Sequence, residues 1–201
     1  MATGGGLRGC TLRRAWPLRI ARSLACGAAL LVAMPALHAD ASISRENQIK
    51  AVFLFNFPQF VDWPPSAFAD PRAPLVIGVL GDDPFGEFLR AMVRGESVNA
   101  RPLVIRHFRS VDEVGVCHVL FIAESESDRL KAILQRLKGR AILTVGDQPR
   151  FLRDGGMIRF DRRDNRMRLR IDEVAAKAAD LTLSSKLLRR AELVAPGEDE
   201  P

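Results

Sequence analysis

Apolar positions along the chain follow two periods, and the change between them marks the elements. The most aromatic run is Ile49 to Pro65, IKAVFLFNFPQFVDWPP, which holds Phe53, Phe55, Phe57, Phe60 and Trp63. Ile49, Phe53 and Phe60 fall near one helical face with Val52 and Asn56 beside them, while Phe55 and Phe57 lie elsewhere on the wheel. That pattern predicts a helix buried on most sides. Glu46 falls in its first turn, where a carboxylate complements the positive end of the helix dipole. Pro58 removes a donor and crowds the carbonyl of Leu54, which predicts a kink, or an early end followed by a turn. Trp63 before Pro64 closes the element. Asn56 and Gln59 are polar within this run and are candidates for contact with a ligand or partner.

Further on, short continuous apolar runs predict buried strands of the parallel type at 75–80, 101–108, 118–125 and 141–147. Between them come helical patterns. One starts with Asp83 as N-cap and Pro84 at the first position, with Phe85, Phe88, Leu89 and Met92 on its apolar face. A short one is capped by Ser110, and a third spans 127–137 with Leu130, Ile133, Leu134 and Leu137 on one side. In the last third, GGMIRFDRRDNRMRLRID predicts two strands around a turn at Asp164-Asn165. There Met167, Leu169 and Ile171 alternate with Arg166, Arg168 and Arg170, a half-exposed strand with one arginine face. VAAKAADLTLSSKLLRRAELV adds a short helix, a loop and a final apolar segment, whose Leu187, Leu188 and Leu193 suit either the core or a partner. Strands alternating with helices predict an α/β fold, a mostly parallel sheet covered on both faces and followed by a C-terminal β-ribbon.

Residues 1–41 read as a secretory signal. Arg8, Arg13, Arg14, Arg19 and Arg22 form a basic start, Ser23 to Met34 is a short apolar core, and small residues follow Pro35, with cleavage expected after Ala39 or Ala41. The apolar core is shorter than the roughly 20 residues of a spanning helix. The expected organisation is a signal over 1–41, one α/β domain over 42–195 and a disordered acidic tail over 196–201. The whole chain carries 30 Lys and Arg against 24 Asp and Glu. Five arginines and one aspartate leave with the signal, so the remaining 160 residues carry 25 basic against 23 acidic side chains, a net charge of about +2. The basic balance is therefore mostly a targeting feature, and nucleic acid is not an expected partner. Of three cysteines only Cys117 lies beyond the signal, so no internal disulfide is expected there. Cys117 sits in an apolar strand pattern and reads as a buried small hydrophobe.

Candidate chemistry is sparse. GVLGDDPFG ends a strand and opens a helix, the position where open α/β sheets bind ligands. Its glycines, Gly78, Gly81 and Gly86, match neither a dinucleotide fingerprint nor a phosphate loop. Asp82 and Asp83 could orient an amine or a metal, or simply cap the turn. His107 and His118 have no neighbouring ligands at metal-site spacing, so neither metal nor cofactor is expected. No nucleophile elbow is present, and Ser184 and Ser185 before Lys186 lack a visible third partner. Arg159, Arg166, Arg168 and Arg170 form the clearest binding feature, since guanidinium forks suit carboxylates and phosphates.

Taken together, IKAVFLFNFPQFVDWP, PLVIGVLGDDPFG, CHVLFIAES, ILTVGD, GGMIRF and LSSKLL resemble the YfiR/HmsC-like family of exported bacterial proteins, from about Ile49 to Val194. The resemblance implies a Rossmann-like three-layer sandwich and a periplasmic, non-enzymatic regulator. Its partner would be the periplasmic sensor domain of an inner-membrane diguanylate cyclase, or a sensor kinase. Binding would hold a cyclase inactive, and release would raise cyclic di-GMP and promote biofilm growth. A homodimer is also implied. The chain departs from the family pattern at Pro58, Gln59 and Arg159, and Cys117 alone cannot support the internal disulfides some members carry. Asn56, Asn165, Arg168, Ser185 and Lys186 stand at family-typical positions and, with Asp82 and Arg159, make up the expected ligand or partner surface. The alternative function is a periplasmic solute-binding sensor for a small anionic ligand, and the least favoured is a hydrolase using Asp82, Asp83 or Ser185.

Overall fold

A computed structural model describes residues 43–164 and 166–195, all within one compact unit. The expected signal, Asn165 and the acidic tail lie outside the described residues. Ser44 starts the first helix, α1 (Arg45–Asn56), its hydroxyl accepting the N–H of Asn47 at 3.1 Å. The helix ends at Asn56 and one 3-10 turn follows, Phe57–Gln59. Pro58 thus falls where its missing N–H breaks no helical ladder. The helix is not buried on most sides, as its aromatic content predicts. Lys50, Ala51 and Leu54 face the core, but Ile49 and Val52 are 38% and 43% exposed. Only one stripe of α1 is covered. The aromatic rings gather at its far end, where Phe53, Phe57 and Phe160 meet with centroids 5.8 to 6.2 Å apart.

The main sheet has eight strands. In chain order they are β2 (Leu75–Leu80), β3 (Ser97–Val98), β4 (Arg101–Phe108), β5 (Val119–Ile122), β6 (Leu143–Gly146), β7 (Ile158–Arg163), β8 (Arg166–Ile171) and β10 (Glu192–Leu193). Their spatial order is β10-β8-β7-β6-β5-β2-β4-β3. From β4 across to β7 every pairing is parallel, while β8 runs antiparallel to β7 and β3 antiparallel to β4. The two strands expected around Asp164 therefore extend the main sheet. A short β1 (Val61–Asp62) pairs with β9 (Thr182–Leu183) beside it.

The core forms two apolar clusters, and β2 feeds both. Leu75, Ile77 and Val79 join the cluster of Leu54, Phe57, Leu89, Phe121 and Phe160; Val76 and Leu80 join that of Leu120, Ile133, Leu134 and Phe151. A central parallel strand buried on both faces reads as a continuous apolar run for this reason. α2 (Gly86–Val93) contributes Leu89 and Val93 to the first cluster, and α3 (Leu130–Leu137) gives the second all four of its predicted apolar residues. Each such side chain contributes roughly 1.5–3 kcal/mol on burial. α4 (Glu173–Ala178) and α5 (Ser185–Leu188) complete the chain, with Leu187 in the core and Leu193 55% exposed.

Three local expectations need correction. α2 begins at Gly86 rather than Pro84, because the Asp83 carboxylate first accepts the N–H groups of Phe85 (2.8 Å) and Gly86 (3.2 Å) and turns the chain. The helix expected from Ser127 opens instead as a 3-10 turn, Glu124–Arg129. The arginine strand does not expose one uniform face either. Arg159 and Arg170 are 4% and 5% exposed, directly opposite each other one rung out from Ile158 and Ile171. Arg159 donates to the carbonyl of Pro149, and Arg170 faces Glu192 of β10 at 3.6 Å.

At the amino-terminal edge, His118 is buried between Phe68 (4.5 Å, stacked) and Trp63 (5.9 Å, edge-on). Its Nδ1 accepts the N–H of Val76 at 3.0 Å, which requires the neutral ring with the proton on Nε2, facing the carbonyl of Ala67. Burial holds its pKa below the usual histidine value, the carbonyl of Ala67 opposing. Cys117 is buried as expected, and burial pushes its thiol up to about 12.

Candidate functional site

The carboxyl ends of β2, β5 and β6 open into a cleft of about 410 Å³ roofed by the first turns of α1. The turn after β2 sets its floor. Gly81 has φ +88°, and a Cβ there would come within 2.5 Å of the Ser125 hydroxyl. The close approach lets the N–H of Asp82 donate to Ser125 Oγ at 2.9 Å, joining the β2 and β5 turns. Asn47 of α1 donates to the carbonyl of Pro84 and holds the helix over this turn. The β6 end is fixed from below. Gln148 is buried, and its amide donates to the carbonyls of Ile122 (3.0 Å) and Ala123 (2.9 Å) at the end of β5.

The centre of the cleft is Lys50. Its side chain is 6% exposed, and its ammonium lies 2.7 Å from Glu46 Oε1 and 2.6 Å from Asp147 Oδ2. Burial pulls the ammonium pKa down, but the hydrogen bonds and charges of Asp147 and Glu46 outweigh it, so Lys50 ends above the usual lysine value. The Lys50 hydrogen bond in turn holds Glu46 below the usual carboxylate value, against the effect of burial. Arg162 of β7 reaches the other Glu46 oxygen at 3.3 Å. Asp147 Oδ1 is buried with no hydrogen-bond partner among the described residues. A second cavity of about 310 Å³ adjoins the first, sharing Glu46, Lys50, Glu124 and Asp147 and adding Arg159, Asp161 and Arg162.

The larger cleft sets five carboxylates, those of Glu46, Asp82, Asp83, Glu124 and Asp147, against one ammonium. It suits a cation or an amine, while the adjoining cavity offers the guanidinium groups an anion needs. Among the described residues no group of His, Cys, Asp and Glu is placed to hold a metal ion. Ser125 accepts a backbone hydrogen bond from Asp82, and the arrangement locks three strand ends to one helix.

Of the residues the sequence singles out, Asp82 lines the cleft and Arg159 the adjoining cavity. The others lie apart. Asn56 caps its own helix, donating to the carbonyl of Val52 at 2.7 Å. Arg168 is on the exposed part of β8, 3.8 Å from Asp164. Ser185 and Lys186 open α5, where Ser185 accepts from Arg189 and Lys186 is exposed. Asn165 lies outside the described residues. Sequence reasoning missed Lys50, Asp147, Glu124 and Ser125. One signal was available, a Glu46–Lys50 pair at i, i+4 with its lysine inside the most aromatic run of the chain.

The fold is α/β, with a charged cleft at the carboxyl ends of its strands. The chain belongs to the YfiR/HmsC-like family, whose family model matches residues 47–192. That family is one of periplasmic regulators of diguanylate cyclase pathways rather than of enzymes. No curated protein matches the chain. Among the described residues no helix is long and apolar enough to cross a membrane.

Proposed function

We propose that this protein is a non-enzymatic periplasmic regulator that binds the periplasmic sensor domain of an inner-membrane diguanylate cyclase and represses cyclic di-GMP synthesis. The family match over residues 47–192 carries the reading. The two apolar clusters fed by one mostly parallel sheet support a Rossmann-like three-layer sandwich, and the cleft supports binding rather than catalysis. Repression would work by population shift. The regulator favours the inactive cyclase conformer by its differential affinity, and whatever sequesters the regulator restores activity. Asn56, Arg168, Ser185 and Lys186 belong to the partner surface in this reading, and the working unit is a homodimer. The test is cyclic di-GMP in cells with and without the gene, complemented by the full chain or by one lacking residues 1–41. A rise on deletion, reversed by the full chain alone, is expected; unchanged cyclic di-GMP in every condition would sink the reading.

The second reading, a solute sensor, is favoured by one observation: the paired cavities of about 410 and 310 Å³ at the carboxyl edge. A small anionic ligand would seat against Arg159 and Arg162 in the smaller one and tune the affinity for the cyclase. Calorimetry with small organic anions checks it, with binding expected to weaken in Arg159→Gln; no heat from any anion removes this reading.

A further inference from the structure

Beyond the cleft, the strongest charge feature is the outer half of the β7–β8 hairpin. On one face the register places Asp161 opposite Arg168 and Arg163 opposite Arg166. Arg163 and Arg168 have side chains 46% and 48% exposed, and Arg166 is exposed beside them. Beyond β8, Arg189 and Arg190 are exposed on the segment leading into β10, whose Glu192 pairs with Arg170. Among the described residues, these five exposed arginines outnumber the nearby carboxylates of Asp161, Asp164 and Glu192. Asp161 lies 3.1 Å from Arg163 Nε, and Asp164 is 87% exposed and 3.8 Å from Arg168. Like charges directly opposite in an antiparallel pair are destabilising, so the Arg163–Arg166 rung carries a local cost that folding does not require.

We infer that this arginine patch is a docking surface for a bilayer bearing anionic phospholipid headgroups. Two observations favour a lipid surface over a protein. The exposed arginines line none of the cavities described above, so they present separate forks on an open surface and enclose no site. Among the described residues, the outer half of the hairpin also carries no exposed aromatic or aliphatic anchor of the kind around which protein interfaces concentrate their energy; Met167 is half-buried against the core on the opposite face, and the exposed Leu193 lies at the inner end of β8, opposite Ile171. Guanidinium groups spaced along strands at ~7 Å for i, i+2 instead suit laterally mobile phosphates, which can move to meet them. The inference takes from the proposed function only the expectation that the chain works beside a membrane, and its test needs no cyclase.

The test is co-sedimentation of the protein, purified from cells expressing the full chain, with vesicles of phosphatidylcholine alone or mixed with one third phosphatidylglycerol. Binding to the mixed vesicles alone is expected, and it should fade by about 0.5 M salt, where charges are screened within a few ångströms. An arginine at an anionic surface is worth roughly fivefold in partitioning, so R163Q/R166Q/R168Q should lose on the order of 100-fold. The charge-matched variant R94Q/K131Q/R136Q, which changes exposed residues elsewhere, should lose far less. Thermal melts confirm that both variants fold. Equal loss in the two variants, binding that survives high salt, competition by free inorganic phosphate at millimolar concentration, or no binding at all would each overturn the inference. So would loss of an acidic protein partner by the hairpin variant with vesicle binding intact. Failure here leaves the cyclic di-GMP measurement untouched, so the two readings fail separately.

Discussion

The cleft at the carboxyl edge and the arginine hairpin both carry charge, but they hold it in opposite ways. In the cleft, one ammonium with 6% exposure is fixed by two carboxylates at 2.6 and 2.7 Å, and these tie α1 to the end of β6. On the hairpin, Arg163 and Arg168 are about half exposed, and the Asp164 carboxylate paired with Arg168 at 3.8 Å is almost wholly in water. A charge held in a desolvated network contributes to stability, and its loss strands its partners. A charge held in water contributes little to stability and is free for a partner. The cleft should therefore report on folding and the hairpin on binding.

The comparison breaks first at Lys50. Lys50→Met keeps the volume but leaves Glu46 and Asp147 facing each other without their cation. The expected loss is about 3 kcal/mol, at the low end for breaking a buried pair because both carboxylates keep some solvent. For a domain of this size that is a Tm lower by roughly 6–12 °C. Urea unfolding checks it; a loss below about 1 kcal/mol would show that water already satisfies these charges and would erase the contrast.

Gly81 sharpens the same side. Alanine there must hold φ near +88° and bring its Cβ within 2.5 Å of Ser125 Oγ. The expected cost is about 2 kcal/mol, from strained backbone together with displacement of the turn. Part of it should appear as local opening, with faster amide exchange at Asp82, whose N–H donates to Ser125. A melt unchanged from the parent would mean that the β2 and β5 turns are not held together through this contact.

Acid weakens the fold at two groups, both outside the hairpin. Glu46 is held below its ordinary value of 4.5 by Lys50, so its contribution is present above that pH and is lost as pH falls through the folded value. His118 behaves differently. Burial lowers it from 6.5, so the unfolded chain takes up a proton first, and stability declines as pH drops below about 6.5. Melting temperature against pH should fall in two stages. His118→Gln, whose amide oxygen can still accept from Val76, flattens the upper stage, and Lys50→Met flattens the lower. R163Q/R166Q/R168Q touches neither Glu46 nor His118 and should leave both stages in place.

How much of this was legible in the sequence follows from the range of each interaction. The strands at 75–80 and 101–108 and the four leucine and isoleucine positions of α3 are local patterns, and they form as the periodicity predicts. So is the early end of α1 at Pro58. The one-sided burial of α1 was hidden, because Ile49 and Val52 are as apolar as Leu54 and only packing against the sheet decides which stripe is covered. The burial of Arg159 and Arg170 was hidden for a related reason. Their alternation with apolar residues is the same as that of Arg168, and only the segment carrying Pro149 and the β10 strand distinguish them. Asp82 was within reach as the residue after a buried strand. Lys50 with Asp147 was not, since 97 residues separate them and nothing local says that they meet.

Arg168 is where the two regions part most clearly, and the effect there on folding is the smallest. Asp161 stands opposite it across the hairpin, and its ion-pair partner Asp164 is 3.8 Å away and 87% exposed. An exposed pair of that geometry is worth about 0–1 kcal/mol, and Arg168→Gln also removes one positive charge from beside Arg163 and Arg166, which offsets part of that loss. The expected change in stability is within about 0.5 kcal/mol, a shift in Tm of no more than about 2 °C. The same substitution should weaken partitioning onto phosphatidylglycerol vesicles by about fivefold. Measured on one preparation, the two numbers test whether stability and binding are carried by different charges. A folding loss near that of Lys50→Met would make Arg168 part of the scaffold, and the hairpin would then be structural like the cleft.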